Sequence, residues 1–261
     1  MASDETKVGN KRKFSKKRNK NYVREERPSS FDKETWKPKT SLGMKVKNGE
    51  IDNIDYILDN RLKILEREIV DVLMPNLTSD LLLVGQSKGK FGGGQRRVFR
   101  QTQKKTQEGN KPKFGTFAIV GNEDGYVGIG YGKSKETVPA REKATRNAKQ
   151  NIMKVLRGCG SWQCSCKNPH SVPFAVEGRY GSVVLRLIPA PRGTGLCIEG
   201  ECGKILKIAG IKDVWSKTFG QTRTKTNLIY ACFDALKKLM EMKIQKENEE
   251  NLGIAECSVS E

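Results

Sequence analysis

The alternation of apolar and polar positions predicts strands and a helix in the first half of the chain. Short apolar runs at residues 81–84, 114–120 and 126–131 predict three strands, and Asn-Glu-Asp-Gly at 122–125 supplies a turn between the last two. A helix is predicted over 136–156, because small residues recur there every four positions and form a stripe that suits close packing on a sheet. Strands followed by a covering helix make an α+β layer.

The second half of the chain has the same combination of elements. Apolar runs predict strands at 172–176 and 182–189, a short helix at 203–209 and a long amphipathic helix at 226–242. Upstream of both halves, apolar residues with helical spacing predict two short helices within 51–73. The fold class expected from these patterns is α+β, built as two consecutive domains.

Composition divides the chain into segments, of which the first is the most unusual. It is rich in Lys, Arg, Asn and Ser, and has too few apolar residues to offset the entropy of ordering by itself. We interpret it as a solvated tail, an arm that folds onto RNA phosphates, or a nuclear-import signal. The predicted segments are a basic disordered arm (1–35), a helical extension (36–78), a first α+β domain (79–157) with a long basic hairpin loop (85–113), a Cys/His insert (158–170), a second α+β domain (171–242) and a C-terminal tail (243–261).

Charge narrows the class of protein. The 261 residues include 49 Lys and Arg against 30 Asp and Glu, and the formal net charge is +19. Positive charges in such excess repel one another unless they bind an anionic partner. Nucleic acid is the partner that this charge favours. A membrane-surface protein is the competing class, but no apolar run is long enough to span a bilayer and the basic N-terminal segment lacks a signal-peptide core. We therefore expect a cytoplasmic protein without a membrane partner.

The loop at 85–113 is much longer than a hairpin connection needs. Loops of this length inside a compact domain are usually functional or disordered. Its glycines permit close approach of arginines to a phosphate backbone, and Phe91 and Phe99 are available to stack on bases. We predict RNA contact here, against the alternative of a merely solvated loop. The predicted contact residues are Lys88, Lys90, Arg96, Arg97, Arg100, Lys104, Lys105, Lys111 and Lys113.

A second basic group lies around Gly132-Lys133-Ser134, which precedes the helix predicted at 136–156. A glycine, a lysine and a hydroxyl at a strand-to-helix turn are typical of a nucleotide-binding P-loop. The spacing excludes a P-loop, because the required earlier glycine is replaced by Val127. We instead predict that Lys133, Lys135 and Arg141 contact phosphates near the helix N-terminus.

The strand predicted at 182–189 ends in a stiff turn that presents one arginine. Pro189 and Pro191 end the strand, because proline fixes φ and removes a backbone donor. Arg192 follows beside two glycines, which allow the backbone to approach a bulky anion. We predict an RNA contact for Arg192, while a plain surface turn explains the pattern equally well. The segment before the last helix adds Lys217, Arg223 and Lys225, which are RNA contacts or solvated charges.

Four potential metal ligands occur close together in the insert, as Cys159-x4-Cys164-x-Cys166-x3-His170. Three thiolates and one imidazole form a ligand set that suits tetrahedral zinc, although common zinc motifs pair ligands two residues apart. The alternatives are a reduced group of loop cysteines or a cysteine–histidine nucleophile, for which the sequence shows no third group to orient His170. The other four of the seven cysteines are scattered singly and predict small buried residues or idle thiols.

Three long motifs together resemble a known family. They are residues 121–136 with Gly-Tyr-Val-Gly-Ile-Gly-Tyr-Gly-Lys, residues 181–196 with Leu-Ile-Pro-Ala-Pro-Arg-Gly-Thr-Gly-Leu, and residues 209–227 with Ala-Gly-Ile-Lys-Asp-Val-Trp. In this order and at these separations they resemble the universal small-subunit ribosomal protein S-five family, in its archaeal or eukaryotic rather than bacterial form. The resemblance extends over about residues 36–239, and the cysteine-containing segment resembles archaeal members in particular.

This resemblance implies a fold and a function. It implies a double-stranded-RNA-binding-like domain followed by the second α+β domain of the S-five family, and a hairpin loop that inserts into ribosomal RNA near the decoding region. It also implies a structural constituent of the small ribosomal subunit that contributes to translational accuracy, contacts mRNA at the entry channel and touches proteins of the S-three, S-four and S-eight families. No enzymatic activity and no small-molecule substrate are expected.

Two other functions are compatible with parts of the sequence. A free double-stranded-RNA-binding regulator shares the basic charge and the first domain, but leaves the second domain unexplained. A nucleotide hydrolase built on Gly132-Lys133-Ser134 is disfavoured by Val127.

Overall fold

The computed structural model describes residues 36–87, 94 and 96–255, apart from the side chains of Lys246 and Glu250. The arm predicted over 1–35 therefore lies outside the described residues, as do Lys88, Lys90 and Phe91 of the predicted basic loop.

Among the described residues, three short helices precede the first sheet, and the last two are those predicted within 51–73. They are α1 (Ser41–Asn48), α2 (Ile54–Asp59) and α3 (Arg67–Leu73). Hydroxyl capping begins α1, since the Thr40 side chain accepts a hydrogen bond from the amide of Gly43 at 3.1 Å. The carboxylate of Glu66 accepts the amides of Lys39 and Thr40, at 2.8 and 2.6 Å. These bonds connect the segment before α1 to Glu66, the residue that precedes α3.

The first sheet has five antiparallel strands. They are β1 (Thr78–Leu82), β2 (Arg100–Thr106), β3 (Gly109–Gly121), β4 (Tyr126–Ser134) and β5 (Ile152–Lys154). The order is β1-β3-β4-β5, and β2 pairs with the first half of β3. The strands predicted at 114–120 and 126–131 are confirmed as parts of β3 and β4. The first predicted strand lies slightly upstream of its expected position, since β1 ends at Leu82.

One helix, α4 (Thr137–Gln150), covers one face of this sheet. Glycines of β4 allow the close approach, because a Cβ at Gly130 would lie only 2.2 Å from the carbonyl oxygen of Ala144 and the amide nitrogen of Ala148. The prediction that this helix continues to residue 156 is wrong. The chain leaves the helix after Gln150, and Ile152 begins β5 by pairing with Gly128 at the sheet edge.

The second sheet has the order β6-β7-β9-β8, and its last pair is parallel. Its strands are β6 (Val176–Tyr180), β7 (Val183–Pro189), β8 (Leu196–Cys197) and β9 (Val214–Phe219). The remaining helices are α5 (Gly200–Ile208), α6 (Lys225–Glu241) and α7 (Lys246–Leu252). Helix α6 packs closely on β6, since a Cβ at Gly178 would lie 2.0 Å from the carbonyl oxygen of Ala231.

The prediction for the second half is correct for β7 and α6 and wrong for the first strand. The strand expected at 172–176 is β6 and begins only at Val176. The predicted C-terminal tail contains α7, and the carbonyl oxygen of Leu252 in this helix accepts the amide of Cys159 at 2.7 Å.

Both sheets contribute to one hydrophobic core. The inner face of the first sheet supplies Phe117 and Ile119, while the second sheet supplies Leu185 and α6 supplies Leu236, all in the same buried cluster. Phe117 also contacts Tyr230 of α6 directly, with ring centroids 5.3 Å apart. The first sheet is therefore covered by α4 on one face and by the second α+β layer on the other.

Candidate nucleic-acid interface and metal centre

The predicted basic loop contains a β-hairpin that projects from the first sheet. Strand β2 pairs with residues 109–115 of β3, from Arg100 opposite Gly115 to Thr106 opposite Gly109, and both strands are exposed over most of this length. We call residues 100–115 the basic hairpin. The sequence pattern missed β2, because Arg-Gln-Thr-Gln-Lys-Lys-Thr has no apolar alternation.

Pairing within the basic hairpin collects positive charge on one face. Directly opposite residues of antiparallel strands point to the same face, so Arg100, Lys104, Lys111 and Lys113 share one side and Lys105 lies on the other. Lys104 stands directly opposite Lys111, which is an unfavourable pair of like charges unless an anion lies between them. The hairpin sequence contains one acid, the exposed Glu108, and it pairs with Lys111 at 2.5 Å.

Hydrogen bonds join residues 85–87 to residues 96–97, just before the basic hairpin. The amide of Gly85 donates to the carbonyl of Arg97 at 2.7 Å, the amide of Arg97 donates to Gln86 at 3.0 Å, and Ser87 bridges to Arg96. Arg97 is exposed and Arg96 is partly exposed. The predicted loop at 85–113 therefore contains the paired residues 85–87 and 96–97 and, after them, the basic hairpin.

A second basic group lies where β4 leads into α4. Lys113, Lys133 and Lys135 line one open crevice together with Ser134, Glu136 and Pro139. Arg141 is exposed one turn into the helix. Lys113 belongs to the basic hairpin, so the two predicted groups form one continuous cationic surface near the helix N-terminus.

The residues that suggested a nucleotide-binding loop lie in a strand. Gly132, Lys133 and Ser134 belong to β4 and pair with residues 114–116 of β3. A P-loop wraps its amide groups around phosphates, whereas this segment is part of a sheet ladder.

The turn that presents Arg192, which we call the arginine turn (residues 189–195), is held by a buried carboxylate. Asp213 accepts the amides of Gly193 and Gly195 through Oδ1, at 3.1 and 2.8 Å. Both glycines have positive φ, 89° and 74°, which favours residues without a Cβ. The side chain of Arg192 is exposed at the tip.

The four predicted metal ligands come together. The ligand atoms of Cys159, Cys164, Cys166 and His170 all lie within 4.8 Å of one another. The sulfurs of Cys159 and Cys166 are 3.6 Å apart, and Cys164 Sγ lies 3.8 Å from His170 Nε2. Zinc–sulfur bonds of about 2.3 Å in a tetrahedron put the sulfurs about 3.8 Å apart, so the set has the dimensions of a zinc site.

A residue that the sequence pattern missed orients the histidine. Asp213 Oδ2 lies 2.9 Å from His170 Nδ1, which turns Nε2 towards the thiols, and the amides of Lys212 and Asp213 donate to the His170 carbonyl at 2.9 and 3.0 Å. A histidine that binds a metal almost always donates its other ring N–H to a carboxylate, a backbone carbonyl or water. The same carboxylate serves His170 and the arginine turn, and no local motif marks it.

The arrangement of Cys164, His170 and Asp213 also resembles a nucleophile triad. At 3.8 Å, Cys164 Sγ and His170 Nε2 are within hydrogen-bonding distance for sulfur, so this contact fits a nucleophile pair and a pair of metal ligands alike. Two further thiols, those of Cys159 and Cys166, belong to the same cluster. A metal centre therefore accounts for more of the local geometry than a nucleophile does.

The thiols of the cluster differ in acidity. The backbone amide of Arg192 donates to the Cys164 sulfur and, with the amide and thiol of Cys166, lowers the pKa of Cys164 to about 6. Burial, reinforced by the neighbouring thiols, raises the pKa of Cys159 to about 11. A thiolate at Cys164 is the form that binds a metal.

The remaining predicted contact residues have different surroundings. Lys217 is exposed on β9, with its amine 5.6 Å from the ring centroid of Phe219, and Arg223 is exposed before α6. Lys225 is partly buried and forms an ion pair with Glu199 at 2.7 Å. Lys225 therefore has a structural partner that its sequence context did not indicate.

Fold and surface together define a class of protein. Two helix-backed sheets with a projecting cationic hairpin are typical of α+β proteins that bind nucleic acid. Among the described residues, no helix combines the length and apolar content needed to cross a bilayer.

Comparison with known proteins gives the family. Residues 98–156 match the model of the ribosomal protein S5 N-terminal domain, and residues 178–249 match that of the C-terminal domain. A small ribosomal subunit protein uS5 from Nanoarchaeum equitans is 52% identical over 81% of this chain and 91% of its own length. Proteins of the same name from Methanocaldococcus jannaschii and Pyrobaculum calidifontis are 46% and 49% identical, over 88% and 83% of this chain and 99% and 100% of their own lengths. The chain belongs to the ribosomal protein S5 family, as the three sequence motifs indicated.

Proposed function

We propose that this chain is a structural constituent of the small ribosomal subunit in the cytoplasm and binds ribosomal RNA through its cationic surface. The observation that carries this proposal is the basic hairpin, whose one face bears Arg100, Lys104, Lys111 and Lys113. Lys104 and Lys111 stand directly opposite each other on an exposed hairpin, and a polyanion bound on this face would relieve their repulsion. The names of the relatives support the ribosomal setting.

The finer parts of the proposal concern partners. The hairpin contacts RNA near the decoding region, the protein contributes to the mRNA entry channel and to accuracy, and its protein neighbours belong to the S-three, S-four and S-eight families. It acts by binding and has no catalytic role. The contact residues are the sixteen predicted lysines and arginines, among which Arg192 and those of the basic hairpin are exposed.

Cosedimentation tests the ribosomal assignment. Tagged full-length protein is expected to stay with small subunits through a high-salt wash of cell extract. Release of all the protein into the ribosome-free fraction would contradict the proposal and favour the free RNA-binding regulator.

Salt dependence tests the basic hairpin directly. Each phosphate contact contributes about 0.7 to 0.9 to the slope of log affinity against log salt. Lys104→Gln with Lys111→Gln is therefore expected to reduce the slope for a small-subunit RNA fragment by about 1.5. The matched control is Lys45→Gln with Lys63→Gln, which removes the same charge from the helical extension and should leave the slope unchanged. Equal slopes for both double variants would exclude the hairpin as the contact surface.

We also propose that the Cys/His cluster binds one zinc ion through Cys159, Cys164, Cys166 and His170. Its support is that the four ligand atoms lie within 4.8 Å of one another and that Asp213 orients His170. Bound zinc would link Cys159 and His170, which lie near the two ends of the insert, and would thereby stabilise the fold of the insert.

Metal analysis tests this part. Protein purified without chelator is expected to contain about one equivalent of zinc, and Cys164→Ser should lose it. Cys197→Ser is the control, because Cys197 is an exposed free cysteine outside the cluster. Zinc-free native protein, or equal zinc in both variants, would overturn the assignment.

A further inference from the structure

Four aromatic rings meet beside the basic hairpin, at the junction of the two sheets. Phe117 of β3 lies 4.9 Å from Tyr131 of β4 and 5.3 Å from Tyr230 of α6, measured between ring centroids. Tyr180, at the end of β6, is stacked on Tyr230 at 4.7 Å with an interplanar angle of 29°. These rings line an open crevice of about 220 Å³, which we call the aromatic crevice.

The aromatic crevice is open to solvent on its aromatic side. Tyr131 is 38% exposed and Tyr180 is 47% exposed, whereas Phe117 is buried beneath them. Large aromatic side chains usually bury their rings, so two half-exposed tyrosines over a buried phenylalanine leave ring surface uncovered. Burial, with smaller contributions from Tyr180 and Tyr131, raises the pKa of Tyr230, which agrees with three phenols packed at one place.

The rim of the crevice is cationic and polar. Arg100, the first residue of the basic hairpin, lines it together with Thr226 and Asn227 at the start of α6. Gly115 lies between Arg100 and Lys133 in the sheet ladder. A side chain at Gly115 would collide with the Tyr131 hydroxyl, since its Cβ would lie 2.3 Å from that oxygen. The absence of a side chain at this position allows Tyr131 to lie across the strand and form one wall.

We propose that the aromatic crevice binds an unpaired RNA base, which stacks on the tyrosine rings while its backbone phosphates meet Arg100 and the basic hairpin. This inference rests on the proposed function, because it assumes that RNA reaches the basic hairpin. Proteins bind single-stranded nucleic acid by stacking its bases on aromatic rings beside a cationic groove. This stacking tolerates any sequence, because every base has a π-face. The side-chain amide of Asn227 supplies donor and acceptor groups for a base edge.

The charge around the crevice selects this occupant over an apolar peptide. The basic hairpin carries one acid against five lysines and arginines, and Arg100 lies in the crevice wall itself. A phosphodiester satisfies these cations, and a neutral apolar segment leaves them without partners.

Two RNA probes separate this inference from the proposed function. The full-length protein is titrated against a single-stranded oligoadenylate that carries one 2-aminopurine, and against a fully paired RNA duplex labelled with fluorescein. Binding in the crevice is expected to quench the 2-aminopurine. Tyr180→Leu and Tyr131→Leu should abolish the quenching and weaken oligoadenylate binding about tenfold, while duplex binding through the cationic surface is retained.

Conservative and remote variants control for folding. Tyr180→Phe keeps the ring and should bind and quench like the unchanged protein. Tyr56→Leu removes an exposed tyrosine of α2, outside the crevice, and should also have no effect. If both leucine variants of the crevice bind and quench oligoadenylate as the unchanged protein does while duplex binding persists, the crevice assignment is wrong and the proposed function stands. If the unchanged protein binds neither RNA probe, both the crevice assignment and the proposed function are wrong.

Discussion

At the scale of single residues, Asp213 connects two features that the sequence presents separately. One carboxylate oxygen holds the arginine turn through two glycine amides, and the other holds His170. The exposed Arg192 and the Cys/His cluster therefore share one buried anchor. The backbone amide of Arg192 reaches the Cys164 sulfur and adds a second link between them.

Replacing this anchor should weaken metal binding. Asp213→Ala leaves His170 without its carboxylate partner, and loss of such a partner typically costs 10- to 100-fold in metal affinity. Competition with a chromogenic zinc chelator measures the affinity. Asp52→Ala, which removes an exposed carboxylate of the helical extension, serves as the control. Unchanged zinc affinity in Asp213→Ala would show that Asp213 has no part in holding the metal.

Sequence reasoning identified the residues with distinctive chemistry and missed their partners. The spacing of Cys159, Cys164, Cys166 and His170 was sufficient to group them, because close sequence neighbours tend to be close in space. Asp213 lies on a different segment, and only the path of the chain brings it to His170. The tyrosines of the aromatic crevice were missed for the same reason, since they come from two sheets and a helix.

At the scale of elements, the pattern of apolar positions found the strands and helices that bury a face. The structure confirms the predicted strands as parts of β3, β4 and β7, and it confirms the long helix α6. The pattern missed β2, whose seven residues are polar, because pairing with β3 rather than burial holds it in place. It overextended α4, because Ile152 continues the helical spacing although it belongs to β5.

The packing of α4 depends on the glycines of β4. Gly130→Ala would place a methyl group 2.2 Å from backbone atoms of the helix, and overpacking of this kind should destabilise the protein by about 1–3 kcal/mol. Urea denaturation followed by circular dichroism measures the change.

A second glycine provides the matched control. Gly203 lies within α5, and the nearest atom to its added Cβ, on Ile198, is 3.6 Å away. Gly203→Ala should stabilise by about 0.5–1 kcal/mol, because alanine is the better helix former. A Gly130→Ala variant as stable as the unchanged protein would mean that α4 moves away from the sheet at little cost.

At the scale of the whole molecule, the two sheets depend on one core. The family models divide the chain into N-terminal and C-terminal domains, yet Phe117 and Ile119 of the first sheet belong to the same buried cluster as Leu185 and Leu236 of the second layer. We expect the two layers to unfold together. The sequence pattern supports two α+β units and contains no signal for the contact between them, since each unit shows the same periodicities with or without a neighbour.

Hydrogen exchange tests this coupling. Leu236→Ala removes a fully buried side chain from α6 and should destabilise the protein by about 2–5 kcal/mol. If the core is shared, the amides of Ala118 and Val120 in β3 lose as much protection as that of Leu185 in β7.

An exposed leucine gives the comparison for this experiment. Leu65→Ala changes a side chain that is 65% exposed and should alter protection by no more than about 0.5 kcal/mol. A loss of protection confined to β6–β9 and α6 would show that the two layers unfold independently.

The contact between β3 and α6 also governs how the chain matures during its own synthesis. Phe117 emerges from a translating ribosome well before Tyr230 and Leu236, and at about 5–20 residues per second the interval lasts roughly ten seconds. Until α6 has emerged, the inner face of the first sheet lacks the side chains that cover it in the folded protein. The basic hairpin is thus exposed to cellular RNA before the sheet that supports it has its complete core.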